Sequence, residues 1–138
     1  RSGSKVVGRE SCTSTHQPRI IHRQREDREN VMAVPMEISV QELKAWKDEG
    51  KDFVLIDVRE PSEFKTANMG GTLMPLSTLP ARMPELDPEK TIVVHCHHGG
   101  RSAMAVQFLR KNGFNGATNL QGGINAWSRQ IDPSVPTY

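Results

Sequence analysis

Two short apolar runs constrain the fold of this chain more than any other feature. F-V-L-I-D-V at 53–58 and T-I-V-V-H-C at 91–96 carry apolar side chains without polar alternation. A strand with one face in water alternates apolar and polar residues, so these runs indicate strands buried on both faces. Strands of that kind form parallel sheets covered by helices on both sides. The sequence therefore predicts an α/β fold.

Helical patterns flank and separate the two predicted strands. Ser39 and Glu42 have the spacing of a capping box, and Gly50 supplies a stop signal one helix length later. Pro61 favours the first turn of a helix directly after the first strand. Further elements are expected as an extended segment at 72–76, a helical turn at 80–86, a buried helix at 102–113, a short strand at 117–120 and a closing helix at 124–129.

The chain of 138 residues is long enough for one domain and divides by charge. Residues 1–34 hold 7 Lys/Arg and 4 Asp/Glu, whereas residues 35–138 hold 11 and 12. We expect 1–34 to be a disordered or linker tail and 35–138 to be the folded domain. A balance of −1 in the folded part predicts no nucleic-acid partner, and the lack of 18 consecutive apolar residues predicts no membrane partner.

The chain has two cysteines, Cys12 and Cys96. Cys12 lies in the polar tail and Cys96 ends the second apolar run. Two cysteines do not make the disulfide framework of a small secreted domain, so a reducing, cytoplasmic location is expected. Cys96 is then free to act as a thiol.

The stretch H-C-H-H-G-G-R-S at 95–102 follows the second buried strand, and chemistry in parallel sheets gathers at this end of the strands. Gly99 and Gly100 allow successive N–H groups to converge on the sulfur of Cys96. The following helix and Arg101 add positive potential. Such surroundings lower the pKa of a cysteine from about 8.5 towards neutrality. The pattern predicts a nucleophilic thiolate.

Two other interpretations of this stretch remain open. A cysteine at the end of a buried strand is often an inert apolar residue, and Gly-Gly is often a plain turn. His95, Cys96, His97 and His98 are all of metal-ligand type, but four consecutive residues cannot surround a tetrahedral ion. We expect no metal and no cofactor. His97 and His98 are expected to face solvent or substrate, with His95 packed beneath the loop.

Three segments resemble the signatures of rhodanese-like sulfurtransferases. C-H-H-G-G-R-S at 96–102 is similar to the family's active-site loop, Cys-x-x-Gly-x-Arg-Ser/Thr. L-I-D-V-R-E-P-S-E-F at 55–64 and N-L-Q-G-G-I-N-A-W at 119–127 are similar to its first and last signatures. Residues 131–138 resemble the end of rhodanese domains fused to sulfur-carrier adenylyltransferases. The resemblance covers about residues 37–138.

The resemblance implies a rhodanese-like three-layer fold, with a central parallel sheet of about five strands and helices on both faces. The chain departs from the family pattern at A-N-M-G-G-T, residues 67–72. There Asn68 stands where relatives often have His, and Gly70 where they often have Pro. This departure affects a local turn and removes none of the expected nucleophile or loop residues.

The resemblance also implies an enzyme of the thiosulfate sulfurtransferase type. Cys96 would take a sulfane sulfur from a small-molecule donor such as thiosulfate and hold it as a persulfide. A small-molecule acceptor (cyanide or a thiol) or a sulfur-carrier protein would then remove it. The implied active-site loop consists of His97, His98, Gly99, Gly100, Arg101 and Ser102, with Asp57 and Arg59 as a supporting ion pair.

Individual roles follow from position in that loop. Arg101 either attracts the anionic donor or anchors the loop to a carboxylate. Ser102 is expected to cap the helix and to donate a hydrogen bond to the sulfur. His97 and His98 would face the acceptor, and Asp57 is expected to be scaffold.

Two rival functions stay open at this point. Phosphatases of related design have five residues between Cys and Arg, whereas four separate Cys96 from Arg101, which disfavours a phosphatase or arsenate reductase. The other rival is a persulfide relay or binding module without turnover of its own.

Overall fold

The computed structural model describes residues 34–138. The prediction of a linker tail and the predictions about Cys12 therefore fall outside the described residues, except at Val34. Val34 is 6 % exposed and packs with the folded part of the chain.

A five-stranded parallel sheet forms the centre of the described part, in the order β1-β5-β4-β2-β3. This confirms the predicted α/β fold. The strands are β1 (Glu37–Ile38), β2 (Val54–Asp57), β3 (Thr72–Leu73), β4 (Ile92–His95) and β5 (Ala117–Leu120). The helices are α1 (Val40–Glu49), α2 (Pro61–Thr66), α3 (Leu79–Arg82), α4 (Gly100–Lys111) and α5 (Gly123–Gln130), with 3₁₀ turns at Leu76–Thr78 and Met83–Glu85.

The sheet separates two apolar cores, as expected for strands buried on both faces. Ile92 and Val94 of β4 belong to the core shared with α4, whereas Val93 belongs to the core shared with α1 and α5. All three side chains are fully buried. Each contributes roughly 1.5–3 kcal/mol by leaving water, which explains why an uninterrupted apolar run occupies the centre of the sheet.

The capping box and the glycine stop that were predicted from the sequence are confirmed at the two ends of α1. The Ser39 hydroxyl accepts a hydrogen bond from the Glu42 N–H at 3.0 Å, and the Glu42 carboxylate accepts one from the Ser39 N–H at 2.8 Å. Gly50 ends the helix with φ of 72°. No helix among residues 34–138 is long and apolar enough to cross a membrane.

Two elements differ from the sequence prediction. Strand β1 was not predicted, because its two residues are defined only by hydrogen bonds to the distant β5. Helix α4 begins at Gly100 instead of Ser102, because Gly99 at φ of 115° occupies the position before the helix. The loop after Cys96 is therefore shorter than expected.

The central pair of strands determines where the polar side chains meet. β2 and β4 are parallel neighbours in a register that pairs Asp57 with His95. Both strands end at the same edge of the sheet, where the Val58 N–H donates to the His95 carbonyl at 3.1 Å and Cys96 follows directly.

Candidate active site

Cys96 lies at the bottom of the loop between β4 and α4, with its sulfur surrounded by hydrogen-bond donors. The Gly99 N–H donates to Sγ at 3.1 Å, and the Ser102 Oγ lies 3.4 Å from the same atom. The residue is 1 % exposed. The predicted convergence of loop amides on Cys96 is thus present in the structure.

These donors hold the pKa of Cys96 below its ordinary value. Burial by itself raises the pKa of the thiol, because a thiolate loses hydration. The hydrogen bonds from the Ser102 side chain and from the N–H groups of Ser102, Gly99 and Arg101 outweigh that effect. The sulfur is therefore a better nucleophile at neutral pH than an ordinary buried cysteine.

Ser102 lies within the first turn of α4, so the predicted capping role is wrong. Its Oγ lies 2.5 Å from Asn119 Oδ1 as well as 3.4 Å from the Cys96 sulfur. A hydroxyl has one proton, so a thiolate at Cys96 competes with Asn119 for it. Asn119 also donates to the Gly99 carbonyl at 3.3 Å, which ties the loop to β5.

The amino-terminal end of α5 holds the other side of the loop. The Ile124 N–H donates to the Cys96 carbonyl at 2.9 Å, and the Asn125 N–H donates to the His97 carbonyl at 3.1 Å. Gly123 makes this approach possible, because a Cβ there would lie 2.4 Å from the Cys96 oxygen and 2.5 Å from the His97 oxygen. The N–H groups at the start of this helix thus fix the backbone around Cys96.

Arg101 points its guanidinium at Glu63 of α2. Nη1 and Nη2 donate to the two carboxylate oxygens at 2.7 and 2.9 Å. This pairing lowers the pKa of Glu63 to about 2 and raises the pKa of Arg101. Of the two roles considered for Arg101, the observed contact corresponds to anchoring the loop to a carboxylate.

Arg59 and Asp57 form a buried ion pair beneath the site. Arg59 Nε donates to Asp57 Oδ1 at 2.8 Å and Nη2 donates to Oδ2 at 2.5 Å, with both side chains excluded from water. Nη2 also donates to the Ala67 carbonyl at 2.6 Å. Breaking such a pair typically costs about 3–5 kcal/mol, because the remaining charge stays buried. The pair joins the end of β2 to the end of α2 and serves as scaffold.

His95 is fully buried, and neither of its ring nitrogens has a hydrogen-bond partner. Its Nε2 lies 3.9 Å from Asp57 Oδ2. Burial lowers the pKa of His95 to about 4 despite the neighbouring Asp57, so the ring is neutral at pH 7. The expected position beneath the loop is observed.

His97 and His98 differ in their surroundings. The His98 side chain is exposed, whereas His97 is half-buried between His98 and Tyr138. The ring centroids of His97 and His98 are 3.9 Å apart, and those of His97 and Tyr138 are 4.0 Å apart with planes inclined by 6°. Burial, together with the charge of His98, lowers the pKa of His97.

Four residues of this site were not identified from the sequence: Glu63, Asn119, Gly123 and Tyr138. Asn119 gave a signal that could have been used, since a polar amide at the end of a short apolar strand needs a buried partner. Gly123, in the pair Gly122-Gly123 before a helix, gave another. Glu63 lies 38 residues before Arg101 in the chain, and Tyr138 lies 41 residues after His97, so neither contact has a local signal in the sequence.

The chain is similar in sequence to proteins whose names include sulfurtransferase. It is 38 % identical over 104 residues to the "Probable adenylyltransferase/sulfurtransferase MoeZ" of Mycobacterium tuberculosis (strain CDC 1551 / Oshkosh), covering 73 % of the chain and 26 % of that protein. It is 33 % identical over 100 residues to a "Sulfurtransferase" of Allochromatium vinosum, covering 72 % of the chain and 94 % of that protein. The chain spans about a quarter of the length of the MoeZ relative.

A solved structure and a family model agree with these relatives. A rhodanese-like domain protein from Staphylococcus aureus superimposes with a TM-score of 0.66 at 28 % identity, covering 75 % of this chain and 99 % of that one. Residues 39–130 match the model of the rhodanese-like domain. This range begins just after β1 and includes every element from α1 to α5. The chain belongs to the rhodanese-like domain family.

Proposed function

We propose that the chain transfers a sulfane sulfur through a persulfide on Cys96, with thiosulfate as a donor. The Cys96 thiolate attacks the outer sulfur of thiosulfate, and sulfite leaves with the electron pair of the broken S–S bond. The persulfide on Cys96 carries the negative charge on its outer sulfur. An acceptor such as cyanide then attacks that sulfur and leaves as thiocyanate, which restores the thiolate.

The observation that carries this proposal is the set of donors around one sulfur atom. The Gly99 N–H at 3.1 Å and the Ser102 hydroxyl at 3.4 Å face Cys96 Sγ, and they can stabilise a thiolate before the reaction. Sulfurtransferase relatives in the same family support the same chemistry. Because Cys96 is 1 % exposed, the donor reaches it only when side chains of the loop move.

The length of the loop favours sulfur transfer over phosphate-ester hydrolysis. Four residues between Cys96 and Arg101 make a smaller loop than the five of phosphatases, which suits one transferred sulfur atom better than a tetrahedral phosphate. Arg101 anchors this loop through its two hydrogen bonds to Glu63.

A protein acceptor is the second form of the proposal. The MoeZ relative carries both adenylyltransferase and sulfurtransferase in its name, and it is 38 % identical to this chain over 104 residues. A sulfur-carrier protein is therefore proposed as an acceptor besides cyanide and thiols, with this chain as the relay. The proposal places the chain in a reducing compartment such as the cytoplasm, where the Cys96 thiol stays available.

Intact-mass measurement after incubation with thiosulfate tests the proposal. We expect a gain of one sulfur, about 32 Da, in the wild type and none in Cys96→Ala. Addition of cyanide should remove the added mass and release thiocyanate. Persulfide formation with slow transfer to cyanide would favour the relay form, whereas equal sulfur uptake by Cys96→Ala would refute the proposal.

A further inference from the structure

Tyr138 packs directly on the active-site loop from a distant part of the sequence. Its ring is parallel to that of His97 at a centroid distance of 4.0 Å, inclined by 6°. His97 follows Cys96 directly, and its carbonyl is already fixed by the Asn125 N–H. The ring of His97 is therefore held by Tyr138 while its backbone is held by α5.

The hydroxyl of Tyr138 connects this stacked pair to the charged groups around the loop. It accepts a hydrogen bond from Arg59 Nη1 at 2.7 Å and donates one to Glu63 Oε2 at 2.9 Å. Glu63 in turn binds Arg101 through both carboxylate oxygens. The buried Arg59 is thus joined to the loop through Tyr138 and Glu63, so the position of the Tyr138 ring is set by a rigid group.

The side chains of His97 and Tyr138 also lie on the side from which a reactant must approach the Cys96 sulfur. The inner side of Cys96 belongs to the apolar core with α4, and the residue is 1 % exposed. Reactants consequently reach the sulfur from the side of the loop, which carries His97. Tyr138 is 43 % exposed and belongs to neither apolar core, so a substitution there removes the ring without opening a cavity in a core.

We propose that Tyr138 is a positioning residue of this site, which fixes the His97 ring and thereby limits the size of the acceptor that reaches Cys96. The acceptor part of this inference rests on the proposed sulfur transfer. The positioning part concerns only the two rings and is independent of it. A small linear acceptor such as cyanide passes a fixed His97 ring more easily than a bulky thiol does.

Removing the Tyr138 ring should change the titration of His97. The groups that face His97 are His98 and Arg101, which lower its pKa, and Glu63 and the Tyr138 backbone, which raise it. Burial is the largest of the influences and lowers the pKa. Tyr138→Ala uncovers the ring and keeps the backbone contact, so the pKa of His97 should rise towards the ordinary value, measured by NMR and assigned with His97→Gln.

Acceptor kinetics on the same variants test the second part. With dithiothreitol as acceptor, we expect KM to fall about threefold or more in Tyr138→Ala, with KM for cyanide changed by less than about twofold. Tyr138→Phe keeps the ring but loses the hydroxyl contacts to Arg59 and Glu63, so both measurements should lie between those of the wild type and those of Tyr138→Ala. Tyr138→Leu keeps apolar volume without a flat ring, and should behave like Tyr138→Ala even if the alanine variant folds poorly. Met104→Ala, at a side chain 63 % exposed on α4, is the control.

Two results would overturn the inference. An unchanged His97 titration in both Tyr138→Ala and Tyr138→Leu contradicts the positioning role whatever the chemistry of the site. Unchanged ratios of the two KM values in these variants contradict the limit on acceptor size. Absence of a persulfide in the wild type would instead refute the proposed function and the acceptor part with it, and the titration would still decide the positioning part.

Discussion

Replacing Gly123 by alanine should displace the backbone of the active-site loop. An added Cβ would lie 2.4 Å from the Cys96 oxygen and 2.5 Å from the His97 oxygen, and both are backbone atoms that cannot rotate away. The φ of 60° at Gly123 adds about 1–2 kcal/mol for a residue with a side chain. The displacement also breaks the hydrogen bonds from Ile124 and Asn125, each worth about 0.5–1.5 kcal/mol.

The expected loss of stability for Gly123→Ala is therefore roughly 2–5 kcal/mol, measured by urea unfolding. The rate of persulfide formation should fall on the order of 10²-fold, because the sulfur moves relative to its donors. The rate is measured by quenched intact-mass analysis below the unfolding transition.

Gly50→Ala is the matched control for backbone strain. Gly50 has a φ of 72° but no atom within 4 Å of an added Cβ, so only the cost of about 1–2 kcal/mol applies and the rate should stay unchanged. Gly100→Ala has neither a positive φ nor a close contact and should retain wild-type stability. A Gly123→Ala variant that loses no more stability than Gly50→Ala and forms the persulfide at the wild-type rate would contradict the expected displacement of the loop.

Two further predictions concern single groups of the site. Ser102→Ala removes a donor to the Cys96 sulfur, so the pKa of the thiol should rise and persulfide formation at pH 7 should slow. The wild-type rate should be recovered at higher pH. An unchanged pH–rate profile would contradict the role of Ser102. The pKa of His95 is about 4 in the folded state and near 6.5 when unfolded, so the unfolded state binds more protons between these values. The free energy of unfolding should accordingly fall by up to about 1.4 kcal/mol per pH unit as pH decreases from 6.5 towards 4. In His95→Leu most of this slope should vanish, and an equal slope would mean that His95 is not the group responsible.

The fold was predictable where the signals lie close together in the sequence. Ser39, Glu42 and Gly50 define α1 through contacts within a few residues, and the apolar run at 91–96 needs no partner to be recognised as a buried strand. Strand β1 was missed because a two-residue strand has no pattern of its own. Strand β1 is defined by its backbone hydrogen bonds to β5.

The loop of the site was predictable from the sequence, but some of the residues that contact the loop were not. Cys96, the glycines and Arg101 are neighbours in sequence, so their convergence followed from the strand–loop–helix order. Glu63 and Tyr138 are brought to the loop only by the packing of α2 and of the segment after α5. Whether Arg101 would face a donor or a carboxylate could not be decided without that packing.

The alkylation rate of Cys96 as a function of pH, followed on the peptide that contains it, is the decisive measurement for this site. We expect a midpoint below the ordinary value of about 8.5, because the loop amides and the Ser102 hydroxyl stabilise the thiolate. A midpoint at or above that value would show that burial outweighs those donors, and would contradict the assignment of Cys96 as a nucleophile that is activated at neutral pH.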